Sequence, residues 1–322
     1  MNFETVYIEE DTREDQNTID ILQRIKFKNL IYCNSYSEIF NPQNQNFRIQ
    51  KIKPNIILAK KKKNFIMNTP KDFTIGFKEN YYFSHMLNCI YDCKYCFLQG
   101  MFNSANFVIF TNFDNFISEI KKKALNKNHK ICFFSGYDCD SLALEGITNF
   151  LKIFLKNFKE INNAFLEVRT KSCNIEIFKN IEPIENIIIA YSLNPETIVK
   201  GFEQKTPKLE KRIDSIKFLQ RRGWKVGLRF DPLINYNENK LIYKNFFNYV
   251  FSQVQPEKIH SVTTGFFRMP NNFFNKLVNM RPEDSLIFNR LKKEKSSKDH
   301  SQEKECEKEL SKFIDQKIFF AN

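Results

Sequence analysis

No run of eighteen apolar residues occurs in the 322-residue sequence, so no helix in it is expected to span a membrane. A secretory start is missing as well: Met1 to Gln16 is acidic and polar, without the basic flank and apolar centre of an export signal. Both absences make the cytoplasm the expected location. Nor is there a disulfide framework, since eight Cys are sparse for so long a chain. Three of them crowd into eight residues; Cys33, Cys132, Cys139, Cys173 and Cys306 are dispersed. In a reducing compartment the crowding points to a metal, and scattered cysteines default to small buried hydrophobes. Internal repeats are absent. Acidic residues run short, 37 Asp and Glu against 50 Lys and Arg, for a net charge of +13. Such an excess fits nucleic-acid binding by counterion release. The abundance of Lys, Asn, Ile and Phe also follows from AT-rich coding, which selects no function.

What is present begins with a core: 42% of the residues are apolar and 35 are Phe, spread end to end. Residues 1–80 read as a basic N-terminal extension with one helix, Thr18–Phe27. Its basic stretch, Arg48 to Lys63, includes Lys60, Lys61, Lys62 and Lys63; it reads as a solvated run, with a phosphate-contacting patch as the alternative. From Tyr81 to about Pro270 strand and helix signals alternate. The β-rich runs are Tyr81–Met86, Lys130–Phe134, Ala164–Thr170, Asn186–Leu193, Lys225–Phe230 and Lys258–Thr264. Helical segments fall at Asp114–Leu125, Ser141–Phe158, Ile175–Lys179, Pro207–Arg222 and Asn239–Val254. In the fourth, Thr206 suits the cap, Pro207 the first turn and Gly223 the end. Strands alternating with helical crossovers imply a parallel sheet, doubly wound or curled into a partial barrel. Residues 271–322 read as a charged C-terminal tail. Lys292–Lys312 within it is expected to be a solvated helix or mobile segment, and Cys306 a surface thiol.

The crowded cysteines are Cys89, Cys93 and Cys96, spaced C-x3-C-x2-C directly after the first strand of the alternating region. Thiolates are the natural ligands of iron–sulfur clusters. Three of them on a four-iron cubane leave the fourth iron open, and an open position separates a reactive metal site from a closed structural one. That iron can chelate the amino and carboxylate groups of S-adenosylmethionine, the cofactor supplying radical chemistry and the protein its positioning. The alternative is a zinc site of the Cys3His kind, with His85 as fourth ligand. Structural zinc more often uses two separated pairs, and His85 falls in the preceding strand.

The stretch Asn88–Gln99 resembles the cluster loop of the radical S-adenosylmethionine superfamily, and within it that of the spore photoproduct lyase family. Further resemblances are Val6–Glu9, Arg169–Lys171, Tyr191–Asn194, Gly201–Thr206, Lys211–Ile213 and Arg222–Trp224. Leu228–Leu233 and His260–Val262 look like a non-spore branch of that family. The resemblance implies an α/β fold, a partial (β/α)6 TIM-like barrel, over residues 81–270. It implies a [4Fe–4S] cluster on Cys89, Cys93 and Cys96, and S-adenosylmethionine held at strand ends by Lys171, Ser192, Asn194, Arg229 and Asp231. Lys171 would pair with the methionine carboxylate. Glu203 with Arg212 reads as a structural ion pair. The implied partners are DNA and an electron donor such as flavodoxin or ferredoxin.

In that family a Cys after the second strand, with nearby tyrosines, returns a hydrogen atom to the repaired thymine. Here Tyr137 falls at the Cys position, Cys139 lies two residues on, and Phe97 replaces the second tyrosine. Tyr95 remains of the relay. The candidate donors are therefore Tyr137 and Cys139, with Tyr95 relaying. The leading expectation is a carbon–carbon lyase acting on a DNA photolesion. The alternatives are the same radical chemistry on RNA, peptide or a small molecule, and a non-catalytic nucleic-acid-binding protein with a structural metal.

Overall fold

The computed structural model describes residues 1–321 apart from 72, 126 and 297–299. Strands β1 (Asn2–Glu9), β2 (Lys26–Cys33) and β3 (Ile56–Ala59) open the chain, with helices α1 (Gln16–Arg24) and α2 (Phe47–Ile52) between them. There follow β4 (Glu79–Tyr82), β5 (Phe107–Phe110), α3 (Phe113–Leu125), β6 (Ile131–Phe134), α4 (Phe150–Phe158), β7 (Ala164–Thr170) and β8 (Ile187–Ser192). Then come α5 (Glu196–Phe202), α6 (Leu209–Arg222), β9 (Lys225–Leu233), α7 (Lys240–Gln253) and β10 (Ile259–Phe266). The end is helical, α8 (Asn271–Met280), α9 (Ser285–Ser296) and α10 (His300–Leu310), before a short β11 (Phe319–Ala321).

Strands β4, β6, β7, β8, β9 and β10 lie side by side in chain order, each parallel to the next. Their apolar runs, such as Ile187, Ile188 and Ile189, are wholly buried because both faces are covered. A sheet of parallel strands with helical crossovers, twisting in one sense, curls into the expected half-barrel. β11 extends it parallel to β10, and Met67–Asn68 pairs antiparallel with β4.

Residues 1–80, read from composition as an extension, supply β1, β2 and β3 to a second sheet ordered β2-β1-β3-β5, closed by the Met86–Leu87 pair. β5 belongs to this sheet although it follows β4 in sequence. The chain thus crosses from barrel to second sheet through residues 83–106, and the three cysteines sit in that crossing. One continuous apolar core joins the sheets, including Val6, Ile57 and Val108 on one side and Ile131, Ile189 and Leu228 on the other. Phenylalanines of α4 pack into this core, Phe150 tilted against Phe154 with ring centroids 4.3 Å apart.

Several expectations shift by small amounts. The first helix covers Gln16–Arg24 rather than Thr18–Phe27, because β2 begins at Lys26. The helix expected over Ser141–Phe158 breaks at Asn149, which is left-handed at φ 49°. There the Glu145 carboxylate accepts from the Leu151 and Lys152 N–H groups (2.8 and 3.2 Å), capping α4. α6 starts at Leu209 after Lys208, and Thr206 accepts from Arg212 Nη2 (2.7 Å) instead of capping. Gly223, at φ 87°, ends that helix as its sequence asks. The charged end docks through buried Leu291 and Leu310, and Cys306, expected at the surface, is fully buried. Of the segment Lys292–Lys312, residues 297–299 lie outside the described residues.

Candidate active site

Asn88 turns the chain into the cysteine loop at φ 69°, a left-handed conformation that Asn tolerates; its amide donates to the Ser104 and Asn106 carbonyls (2.8 and 2.7 Å). Asp92–Cys93 then pairs antiparallel with Glu203–Gln204, and Gln99 donates to the Cys93 carbonyl (2.7 Å). Two guanidiniums grip Asp92. Arg48 of α2 reaches both carboxylate oxygens (2.8 and 3.0 Å), and Arg281, just past α8, meets Oδ1. Arg281 also holds Gln99 and Asp284, and Lys94 pairs with Asp284 at 2.6 Å. From the same face of α2, one turn beyond Arg48, Lys51 donates its ammonium to the Cys89 carbonyl.

All eight cysteines are free thiols, and Cys89, Cys93 and Cys96 lie within one another's electrostatic reach. Burial pushes the Cys89 thiol up to about 12, with the Asp140 charge adding to the rise. Burial likewise raises Cys93 and Cys96. Coordination to a metal overrides such a shift, because a ligating thiol is deprotonated outright.

At the carboxyl ends of β7 and β8 a second set converges. Tyr95 donates its hydroxyl to Glu203 Oε1, which also accepts from Asn194 Nδ2 (3.0 Å). Glu203 Oε2 pairs with Arg212 Nη2 at 2.6 Å, both side chains wholly buried, which makes this the expected structural ion pair. Arg212 further donates to the Ser192 carbonyl (3.0 Å). The Lys171 ammonium stands 5.7 Å from the centre of the Tyr95 ring. Burial disfavours its charge, but Glu203 and Cys93 outweigh this and the net shift is upward. Asp140 ties the set together, accepting from Thr170 Oγ1 (2.7 Å) and the Lys171 N–H (2.6 Å). Asn194, 1% exposed, keeps its Oδ1 without a hydrogen-bond partner. A buried orphan acceptor here calls for a donor from a ligand.

The two candidate hydrogen donors separate. Tyr137 stacks on Tyr82 (centroids 4.2 Å, planes 27° apart) and leans its other side toward Phe97 of the cysteine loop (5.8 Å). Asp138 lies in the field of both tyrosines; it accepts from Ser84, and its Oδ1 is buried and unpartnered. Burial holds that carboxyl above its ordinary range. Cys139 instead turns into the core, its Sγ 4.0 Å from His85 Nε2 and 3.8 Å from the Ser135 carbonyl. His85 stacks on Phe150 at 3.7 Å, and burial lowers it to about 3, so the fourth zinc ligand imagined from sequence is a neutral core residue.

Arg229 departs from its expected place at the mouth. It lies mid-strand in β9, fully buried, with every donor engaged: Nε and Nη2 on Glu167 (3.2 and 2.6 Å), Nη1 on the Leu228 and Ser261 carbonyls (both 3.0 Å), and Nη2 also on Ser261 Oγ (2.9 Å). A guanidinium has five N–H groups, so none is left for a cofactor. Asp231, half-buried, precedes Pro232 where the β9–β10 register shifts. Sequence reasoning missed Arg48, Lys51, Arg281 and Tyr82. Arg48 and Lys51 were inside the stretch read as solvated; their i, i+3 spacing was the available signal.

Three thiols on one loop fit a cubane cluster, in which separate irons take separate ligands. Among the described residues no three His, Cys, Asp or Glu side chains converge tightly enough for a single ion. A parallel α/β half-barrel bearing a three-cysteine loop, with a cation and an orphan acceptor at the strand ends, defines the class of protein. The family model for spore photoproduct lyase matches residues 3–316, and the chain belongs to that family. A spore photoproduct lyase of Clostridium acetobutylicum is 25% identical over 167 residues, 51% of this chain and 50% of that protein. One from Bacillus subtilis is 20% identical over 177 residues, 54% and 52% of the two chains. The aligned stretch thus spans about half the length of these curated relatives. In three dimensions a spore photoproduct lyase double mutant, solved with bound AdoMet and dinucleoside spore photoproduct, superimposes with a TM-score of 0.77 at 14% identity, over 99% of this chain and 98% of that one. At that identity the likeness establishes the fold.

Proposed function

We propose that this chain is a radical S-adenosylmethionine lyase that repairs a thymine photolesion in DNA. The observation that carries the reading is the conjunction of three free cysteines on one loop with Lys171 and the orphan Asn194 Oδ1 at the adjoining strand ends. Family membership and the ligands named for its structural relatives support it. Cys89, Cys93 and Cys96 would hold a [4Fe–4S] cluster, and when bound it supplies, from S-adenosylmethionine, a 5′-deoxyadenosyl radical that takes a hydrogen atom from the lesion. Lys171 pairs with the methionine carboxylate, and Asn194 and Ser192 accept from its amino or ribose groups. Glu203 and Arg212 fix Tyr95 and Asn194. Asp231 remains a cofactor candidate by its half-exposed position alone.

Tyr137 is the better placed hydrogen donor, because its ring meets the cysteine loop at Phe97 whereas Cys139 faces the core. The lesion radical fragments at the methylene link between its two thymines, and the thymine carbon radical so released gains the phenolic hydrogen: a C–C bond and the O–H bond break, a C–H bond forms, and a tyrosyl oxygen radical remains. Tyr82 can pass its own hydrogen to Tyr137, and a one-electron donor with a proton restores the pair. A flavodoxin or ferredoxin suits that task and cluster reduction alike. The net charge of +13 favours the DNA backbone, with affinity falling as salt rises. No described helix is long and apolar enough to cross a membrane, which is compatible with work in the cytoplasm.

The test is anaerobic. Iron-reconstituted, reduced protein receives S-adenosylmethionine with DNA carrying spore photoproduct, then with DNA carrying cyclobutane dimers. The expected result is 5′-deoxyadenosine together with restored thymine from the first. Y137F should cut thymine recovery at least tenfold while deoxyadenosine persists, and C139S should leave both nearly unchanged. Deoxyadenosine without thymine from either DNA would discard the lesion; no deoxyadenosine from protein with intact cluster would discard the radical chemistry.

A further inference from the structure

Most cations around the cysteine loop and its strand-end neighbours have an anionic counterpart. Arg48 and Arg281 meet Asp92, Lys94 pairs with Asp284, and Lys171 lies in the field of Glu203. Lys51 differs. Its side chain is delivered by α2 from the second sheet, the residue is 4% exposed, and the hydrogen-bond acceptor of its ammonium is the neutral Cys89 carbonyl. Asp92, whose field it shares, already carries two guanidiniums. Its own backbone carbonyl receives the Lys205 ammonium (3.0 Å), which adds positive charge on the same side. A buried cation without a counter-ion costs several kcal/mol, and burial disfavours the Lys51 charge, so a nearby anion is what would hold it. Apart from Asp92, the groups near Lys51 whose negative charge would offset its burial are Cys89 and Cys96, once they are thiolates.

We propose that Lys51 is the counter-ion of the iron–sulfur cluster: its ammonium, fixed against the Cys89 carbonyl, balances the negative charge of the thiolate-ligated cubane and raises its reduction potential. This rests on the cluster assignment made above. Three thiolates make the oxidised cluster an anion, and reduction adds a further negative charge. A fixed positive charge in a water-poor site stabilises the reduced form more than the oxidised one. Lys51 acts through the cluster and touches no substrate, so it is a positioning residue for charge. The basic stretch to which it belongs thereby has a role distinct from holding DNA.

The experiment is a spectroelectrochemical midpoint potential of the full-length, anaerobically reconstituted protein, with iron and sulfide counted beforehand. K51M and K51Q are expected to shift the midpoint to lower potential, while K51R stays near wild type. Gln keeps an N–H donor for the Cys89 carbonyl but no charge. A wild-type potential in fully loaded K51Q therefore overturns the proposal, even if K51M falls. Should K51M fail to load iron, loading of K51R and K51Q decides: full loading of K51R with depleted K51Q supports the counter-ion, and equal depletion of both overturns it. Wild-type protein lacking iron and sulfide altogether would remove the cluster assignment itself, a failure read at the earlier step.

Discussion

Among single residues, buried ionisable groups fall into kinds with opposite consequences. Arg229 neutralises Glu167 inside the barrel, and Arg169 assists from its Nε (3.0 Å). R229M leaves a buried carboxylate half-compensated and is expected to cost about 3–5 kcal/mol, read as a lower urea midpoint. A well-folded R229M that no longer bound S-adenosylmethionine would return Arg229 to the cofactor site. Glu145 is the reverse case. Burial pushes it up to about 7 from the ordinary 4.5, against the pull of two backbone N–H groups. The folded chain therefore holds a proton that the unfolded chain has released between about pH 4.5 and 7. Stability from this group is complete below that window and declines as pH rises through it, on the order of 3 kcal/mol in all. E145Q should flatten that segment of the pH–stability curve and exceed wild type at pH 8, as urea titrations at pH 5 and 8 would reveal.

Among elements, the short helix Leu98–Met101 that follows Cys96 lies hard against α8. A Cβ on Gly100 would stand 2.3 Å from the Phe273 carbonyl oxygen and 2.7 Å from its carbonyl carbon, backbone atoms that cannot swing aside. G100A should force α8 outward, and with it Arg281, losing about 1–3 kcal/mol and weakening iron retention. A melting curve with an iron count would check both. The elements most legible in the sequence were the fully buried ones. β8 stood out by its apolar run Ile187–Ala190, and α6 as a helix closed by Gly223, because the same residues satisfy local preference and burial. β5 (Phe-Val-Ile-Phe) is as apolar as β8 yet went unread, since nothing local says that four residues make a strand whose partner, β3, lies fifty residues back. The site followed the same division. The cysteine spacing is local and was plain; the burial of Arg229 and the docking of α2 are long-range and were not.

At the scale of the whole molecule, the N-terminal sheet is a working half of the protein. Removing the first 60 residues would strip β3 from β5, expose Val108 and Ile109, and delete both Arg48 and Lys51. The expected outcome is an insoluble chain that retains no iron, checked by sedimentation and metal content. A soluble, iron-bearing fragment beginning at residue 61 would show that sheet to be an appendage. Asp92 carries a further implication. Its first guanidinium comes from 44 residues earlier in the chain and its second from 189 residues later. During synthesis Arg48 has emerged before the cysteines, whereas Arg281 follows 189 residues after Asp92. One clasp for Asp92 is thus available as the loop emerges, and the second only once α8 has been made. Sequence distance becomes a schedule: the two clasps of the cysteine loop arrive in order, one before the cysteines and one long after them.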